Sequence, residues 1–230
     1  MAFNHVKLKE LDFDLKAITT ESGRQYLTPD GHSFPSVTTV LSDYNKKALF
    51  EWRERVGAEE ANRIAAKASS RGTKLHTICE NYLMNELTPM KMTSMMPDTK
   101  ELFLSLKPHI DSNIGNVYSI EQALYSTRLR LAGRVDCIAE WNGQLSVIDF
   151  KTSTREKSEE GILNYFMQCT AYATMFEEIT HKPINQLVVA IAVADGSNQI
   201  FVKEKSQHYI DSLDSYIAKY WKKKYKQQGE

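Results

Sequence analysis

Asp136-Cys-Ile-Ala-Glu-Trp141, the pair Asn142-Gly143, then Gln144-Leu-Ser-Val-Ile-Asp149-Phe150-Lys151 is the stretch from which the architecture of this chain can be read. Asn-Gly between two apolar runs marks a two-residue type I′ hairpin, because both turn residues must adopt positive φ. Counted outward from the turn, Trp141 faces Gln144, Ile138 faces Val147, and Asp136 falls opposite Asp149. Side chains alternate along a strand, so Lys151 joins the two aspartates on one face. Directly opposed Cβ atoms lie about 4.5–5.5 Å apart, where like charges destabilise the pair unless a cation stands between them. Two readings supply one: a divalent metal ion held by both carboxylates, or a surface hairpin whose acids pair with Lys151 and Arg134. Spacing alone leaves both open.

Working outward, residues 159–179 read as a helix, and Ile184–Ala194 is an almost unbroken apolar, β-branched run, the pattern of a strand buried on both faces. Gln199–Lys203 reads as another strand and 207–226 as a final amphipathic helix. Before the hairpin, strands at 116–126 and 129–141 follow a helix at 98–112. Residues 46–87 carry a helical pattern with Leu49, Trp52, Ile64, Leu75, Ile78, Tyr82 and Leu83 at the apolar positions, and 88–97 form a proline-bounded loop. Nearer the N-terminus, 15–34 read as a polar β-hairpin turning at Pro29-Asp-Gly31, after which Pro35-Ser36 opens a helical region. Helices followed by strand, strand, strand, helix, strand predict an α/β sandwich on a mixed central sheet flanked by helices.

Bulk composition narrows the classes. The chain has 230 residues, 42% hydrophobic and 25% charged, which suits one ordinary globular domain with a substantial core. Its 29 basic and 29 acidic residues cancel, so a polyanion must be held by a local patch and cations rather than by overall charge. Cys79, Cys137 and Cys169 are odd in number and far apart, with no CxxC spacing; this argues for a reduced compartment and against a disulfide framework, structural zinc or an iron–sulfur cluster. No apolar run reaches the ~18 residues that span a bilayer. Glu10, Asp12 and Asp14 come early, unlike a signal or transit segment, so the expected location is cytoplasmic, or the mitochondrial matrix if a leader has been removed.

Two aspartates and a lysine on one strand face suit metal-assisted phosphodiester hydrolysis, since carboxylates bind Mg²⁺ while it retains water and takes up phosphate oxygens. Gly133-Arg-Val-Asp136 followed by Val147-Ile-Asp149-Phe150-Lys151-Thr152 resembles the D…(D/E)-x-K core of the PD-(D/E)XK nuclease superfamily. Arg71-Gly-Thr-Lys-Leu-His76 resembles the helix that brings a histidine into RecB-like members, and Gln168-Cys-Thr-Ala-Tyr172 their Q-x-x-x-Y helix. The resemblance runs from Pro35-Ser-Val-Thr38 to Ala194, with the motifs in the family's order. Two departures stand out: the four-cysteine iron–sulfur cluster of some RecB-like relatives is missing, and Val135 occupies the position of the proline in the superfamily's name.

The resemblance implies a restriction-endonuclease-like core with a helical N-terminal elaboration. Residues 1–230 would form a single nuclease domain: an N-terminal hairpin (1–34), a helical layer (35–113), a catalytic sheet and helix (114–206) and a C-terminal helix (207–230). It implies Asp136, Asp149 and Lys151 as catalytic residues, with His76, Asp136, Asp149 and the Phe150 carbonyl as ligands of one or two Mg²⁺ or Mn²⁺ ions. Glu121 matches an acid that some relatives place near the metals, although a solvated strand face explains it nearly as well. For His76 the plain alternative is a histidine packed within a helix, and hard Mg²⁺ favours oxygen over imidazole.

DNA contacts would come from Gln168 and Tyr172, one helical turn apart, and from Thr152 after the lysine. Arg71 and Lys74 flank His76 and suit a phosphate. Ser36, Thr38 and Thr39 stand at a helix entrance, which binds phosphate or is simply N-capped. The cations Lys222, Lys223, Lys224 and Lys226, interleaved with Tyr220, Trp221 and Tyr225, suit a stacked single strand, whereas a solvated helix terminus is the plainer reading. The expected function is a metal-dependent DNA exonuclease acting on DNA ends in replication, recombination or repair, with single-stranded DNA favoured and no membrane contact; replication or recombination proteins would be its partners. A structure-specific endonuclease, an inert nucleic-acid-binding module and a small-substrate phosphate-ester hydrolase are the alternatives.

Overall fold

A computed structural model describes residues 2–228. The chain runs β1 (Lys16–Thr20), β2 (Gly23–Leu27), β3 (Ser33–Pro35), α1 (Val37–Val40), α2 (Lys46–Val56), α3 (Ala58–Leu83), α4 (Pro89–Thr93), α5 (Pro97–Asn113), β4 (Ile114–Ser126), β5 (Leu131–Trp141), β6 (Gln144–Ser153), α6 (Leu163–Thr180), β7 (Gln186–Val193), β8 (Asn198–Glu204) and α7 (Gln207–Gln228). Strands β4 to β8 form one sheet in sequential order, antiparallel except where β6 meets β7 in parallel. A parallel neighbour needs a crossover, and α6 supplies it. The mixed sheet flanked by helices is thus the α/β arrangement expected.

Each face of the sheet has its own core. On one side Ile138, Val147, Val189 and Ile191 pack with Phe166, Met167, Phe176 and Leu213 of α6 and α7. On the other, Cys137, Trp141, Ile148, Phe150, Val188 and Ala190 pack with Leu75, Ile78, Leu102, Phe103 and Leu106 of α3 and α5. Strand β7 therefore serves both cores, as its unbroken apolar run requires. Among the described residues no helix is long and apolar enough to cross a membrane.

Several local expectations change. The N-terminal hairpin is a three-stranded antiparallel sheet, β1-β2-β3, because the chain also turns at Glu21-Ser22; Leu15, Tyr26 and Phe34 cover Ala123 and Ala132 of the large sheet. The stretch 88–97 is not wholly loop: Thr88 caps α4 through its side chain, accepting from Lys91 N at 3.2 Å, with Pro89 at the first turn. The helix over 46–87 breaks at Gly57, whose φ of 86° is open to glycine and costly for other residues, and it ends at Leu83. Leu49 is 52% exposed, and Trp52 and Ile64 are only half-buried, whereas Leu75, Ile78 and Leu83 are buried. Apart from Ala61, the buried side chains of α3 all lie in its second half.

Leu75→Ala is therefore expected to cost about 2–5 kcal/mol in urea unfolding, the range for a fully buried leucine. Ile64→Ala should cost under half as much, and equal losses at the two positions would contradict this division of α3.

Candidate active site

Asn142 and Gly143 adopt φ of 53° and 77°, and the hairpin pairs Trp141 with Gln144, Ile138 with Val147 and Cys137 with Ile148. Pairing stops there, one step short of the aspartates. Asp136 Oδ2 instead accepts from Phe150 N at 2.9 Å, so a carboxylate takes the place of the next ladder carbonyl. Alternation along β5 slips by one residue at the same point: Leu131 and Val135 face the α6 core, then Ile138 does, while Cys137 and Ala139 face α3. The two aspartates and Lys151 do not simply share a face, since the slip lets Asp136 reach α3 as well.

The surface reading of the hairpin does not survive burial, because Asp149 is 2% exposed. Lys151 Nζ stands 2.6 Å from Asp149 Oδ1, as that reading proposed, but Arg134 turns away to the Glu121 carbonyl and lies 3.4 Å from Asp14 Oδ1. Burial pushes the Asp149 carboxyl up to about 6, with Lys151 opposing and Asp136 adding to the rise. Burial would lower Lys151, yet the charges of Asp149 and Asp136 outweigh it and keep the ammonium protonated. Asp136 is also raised by burial, but His76, Lys151 and the Phe150 N–H together hold it below the usual carboxylate range. His76 Nδ1 lies 3.4 Å from Asp136 Oδ1 and is raised, burial being outweighed by Asp136.

Ligand atoms of His76, Glu121 and Asp136 lie within 4.8 Å of one another. Nearby, Asp149 Oδ2 is buried without a hydrogen-bond partner, a costly state that a cation relieves. Carboxylate oxygens with one imidazole are the donor set of a hard or borderline divalent ion. The residues fit such an ion. Glu121 turns inward through a left-handed backbone, φ 48°, a strain of about 1–3 kcal/mol of the kind that collects at functional positions. Burial first, then Asp136, raises its carboxyl to about 7.

Two adjoining hollows meet at this cluster, sharing Arg24, His76 and Glu121. The first, about 380 Å³, is lined by Ser36, Thr38, Gly133, Asp136, Lys151, Gln168 and Tyr172; the second adds Gly72, Thr73, Thr77 and Glu80 of α3. Tyr172 is at once core and wall: it is 3% exposed, and a Cβ on Gly133 would come within 2.9 Å of its ring, which accounts for the glycine of Gly133-Arg-Val-Asp136. Ser36 caps α1, its Oγ accepting from Thr39 N at 3.0 Å. Thr39 is turned away, with its hydroxyl on Arg24 N at 3.1 Å.

Arg71 and Lys74 do not face the cleft. They line a separate hollow with Lys67, Asp98 and Glu101, because on a helix they point roughly 140° and 200° away from His76. Thr152, one residue past Lys151, lies against Gly72, which lines the second of the two hollows. Residues not singled out from sequence include Arg24, Tyr26, Glu80 and Tyr165, whose ring centroid lies 5.3 Å from Lys151 Nζ. Of these Glu80, four residues after His76, and Tyr165, three before Gln168, left a signal in their helical spacing.

A sequence profile described as the PD-(D/E)XK nuclease superfamily matches residues 100–228. The chain is 29% identical over 203 residues to mitochondrial genome maintenance exonuclease 1 of Xenopus tropicalis, covering 83% of this chain and 56% of that protein. The mouse protein of that name is 27% identical over 205 residues, with 84% and 57% covered, and the human one 26% over 202 residues, with 82% and 55% covered. The chain thus spans little more than half the length of these relatives.

Gly133→Ala should force Tyr172 to move and cost about 1–3 kcal/mol, the usual penalty of overpacking. Thermal unfolding and the near-ultraviolet tyrosine signal read it; if both are unchanged, the contact is looser than described.

Proposed function

Because the chain belongs to the PD-(D/E)XK nuclease superfamily, we propose that it hydrolyses phosphodiester bonds at DNA ends with the help of a divalent metal ion. The observation that carries this reading is the buried Asp149, with the partly buried Asp136 and Lys151 beside it, facing His76 and Glu121, with one Asp149 oxygen unpartnered. Residues 1–230 would act as one nuclease unit.

His76, Glu121, Asp136, Asp149 and the Phe150 carbonyl would hold the ion, Mg²⁺ or Mn²⁺. When bound, such an ion acidifies a water and neutralises charge gathering on phosphoryl oxygens. Lys151 serves as a donor rather than a base: its proton is retained by Asp149, so Nζ can hydrogen-bond a phosphate oxygen as negative charge develops. Tyr165 fixes the direction of that ammonium from the other side. Gln168 Nε2 and the Tyr172 hydroxyl face the sugar-phosphate chain from the α6 wall, and Ser36 and Thr38 face it from α1. Arg24 and Arg134, at the rim of an acid-lined cleft, draw the polyanion in. The relatives' name, genome maintenance exonuclease, supports action on DNA in its upkeep, which would place the chain in replication, recombination or repair; single-stranded DNA as the favoured substrate is part of this proposal.

End-labelled single- and double-stranded DNA incubated with Mg²⁺ or Mn²⁺ tests the reading. Lys151→Ala should slow nucleotide release by on the order of 10²–10³-fold, and Asp149→Asn at least as much. Equal release by wild type and Asp149→Asn would sink the assignment. A covalently closed circle should resist; its cleavage would favour the endonuclease alternative. In calorimetry without DNA, Mn²⁺ should bind wild type and more weakly Glu121→Gln, whereas no binding to either, even with DNA added, would favour an inert binding module.

A further inference from the structure

The last turns of α7 lie outside the cleft, and their cations are organised rather than merely solvated. Arg130, in the turn between β4 and β5, lays its guanidinium over Trp221 at 4.0 Å from the ring centroid and donates from Nη1 to the Tyr225 hydroxyl at 2.9 Å. Trp221 and Tyr225 stand 5.9 Å apart with rings inclined by 30°, and Tyr225 is 54% exposed. The turn itself is fastened to α6: Glu178 accepts from Ser126 Oγ at 2.5 Å and from the N–H groups of Thr127 and Arg128 at 3.0 and 3.3 Å. Arg130 is thereby held at φ 54° with its charge aimed at the helix.

Around this core stand Arg128, Lys222, Lys224 and Lys226, none of which pairs with a described carboxylate, in a chain whose net charge is zero. The surface is continuous with the cleft. Ser36 and Thr38 line the cleft, while Thr39, Ser42 and Lys46, directly beyond them, line a hollow of about 310 Å³ with Tyr220, Lys223 and Lys224; Glu21 and Asp43 also line it, and Lys46 and Lys223 lie 3.6 and 3.9 Å from Asp43, so the free cations begin at Lys224. By α6, the path from Gln168 to Glu178 is ten residues, about 15 Å.

We propose that this face is a second holding site for single-stranded nucleic acid: the strand leaving the cleft crosses α1 and is gripped by Arg130, Lys222 and Lys226, with a base stacked on Tyr225. Aromatic faces interleaved with unpaired cations are what a strand needs for sequence-independent binding. An acidic protein would use the cations and leave Tyr225 idle. The inference rests on the proposed nuclease reading, and it adds that long strands are held better than short ones.

The test compares the full chain with an Arg130→Ala, Lys222→Ala, Lys226→Ala triple variant and with Tyr225→Ala. Thermal unfolding first establishes that both variants fold; Tyr225→Ala, a surface truncation, stands in if the triple variant does not. Fluorescence anisotropy, without divalent ions and over a range of salt, measures single-stranded oligonucleotides of roughly 5 and roughly 25 nucleotides, below and above a typical site size. Wild type should bind the long strand more tightly. The triple variant should lose at least about tenfold for it, and its salt slope should fall by about 2, three phosphate contacts at about 0.7 each; the short strand should be unaffected. Length-independent binding by wild type, or equal losses at both lengths, overturns the inference. So does a long-strand affinity that survives the substitutions while poly-glutamate binding is lost, which would assign the face to an acidic partner. Cleavage of the short strand by wild type with Mn²⁺ reports on the nuclease reading separately, since its failure leaves the length dependence measurable.

Discussion

Two carboxylates buried where β5 and β6 stop pairing constrain everything around them. Taking an ionised group out of water costs several kcal/mol unless other charges and hydrogen bonds replace the solvent. Here the replacements come from different elements: Lys151 from β6 itself, the Phe150 N–H from its backbone, and His76 from α3. The second half of α3 is consequently bound to the sheet by more than its apolar stripe, because a helix shifted by one residue would carry His76 away from Asp136. Asp149 Oδ2 is left over, so the network is not a salt bridge that closes on itself. A closed network would satisfy both oxygens of each acid.

What could be read in the sequence was local or strongly periodic. The Asn142-Gly143 turn fixes the hairpin register through backbone conformations few other residue pairs tolerate, and β7 advertises its two-sided burial in an unbroken apolar run. The slip at Asp136 is invisible from sequence because it arises where one strand loses its partner and another layer supplies a hydrogen bond. Linear proximity also misled: Arg71 and Lys74 adjoin His76 in sequence yet face another hollow, whereas Glu80, further along, shares its flank. Arg24 reaches the cleft through long-range packing, for which no spacing rule exists. Leu49 and Ile64 matched the helical period, but period reports amphipathicity and not which face finds a partner.

The site's rigidity is unevenly distributed. Its floor and α6 wall are close-packed, with Tyr172 set against Gly133 so tightly that one methyl group would not fit. Its α3 side is anchored by Leu75, Ile78 and Leu83, but the helix before them and all of α2 are held by little buried surface. Elements with few buried apolar contacts open at low cost, while those bearing a core open only with global unfolding. Under the proposed function, a cleft that held reacting groups to within a fraction of an ångström and yet admitted a long polymer would benefit from this division. The charged centre sits on the sheet, where displacement is expensive, and the part of the helical layer that can yield lies beyond it.

Charge follows a similar partition. The centre is acidic and would repel a polyanion if it acted alone, and the chain as a whole offers no compensating excess of cations. Attraction must come from where the cations are placed. Arg24, Arg134 and Lys151 border the acids directly. At moderate ionic strength their reach is about a Debye length, roughly 8–10 Å, so under the proposed function they would draw in phosphates that come within that distance of the cleft. Under the proposed function, a strand too long to lie within that radius would meet further cations only on a separate surface. Glu178, which fastens the turn that carries Arg130, lies about 15 Å along α6 from Gln168, outside that radius.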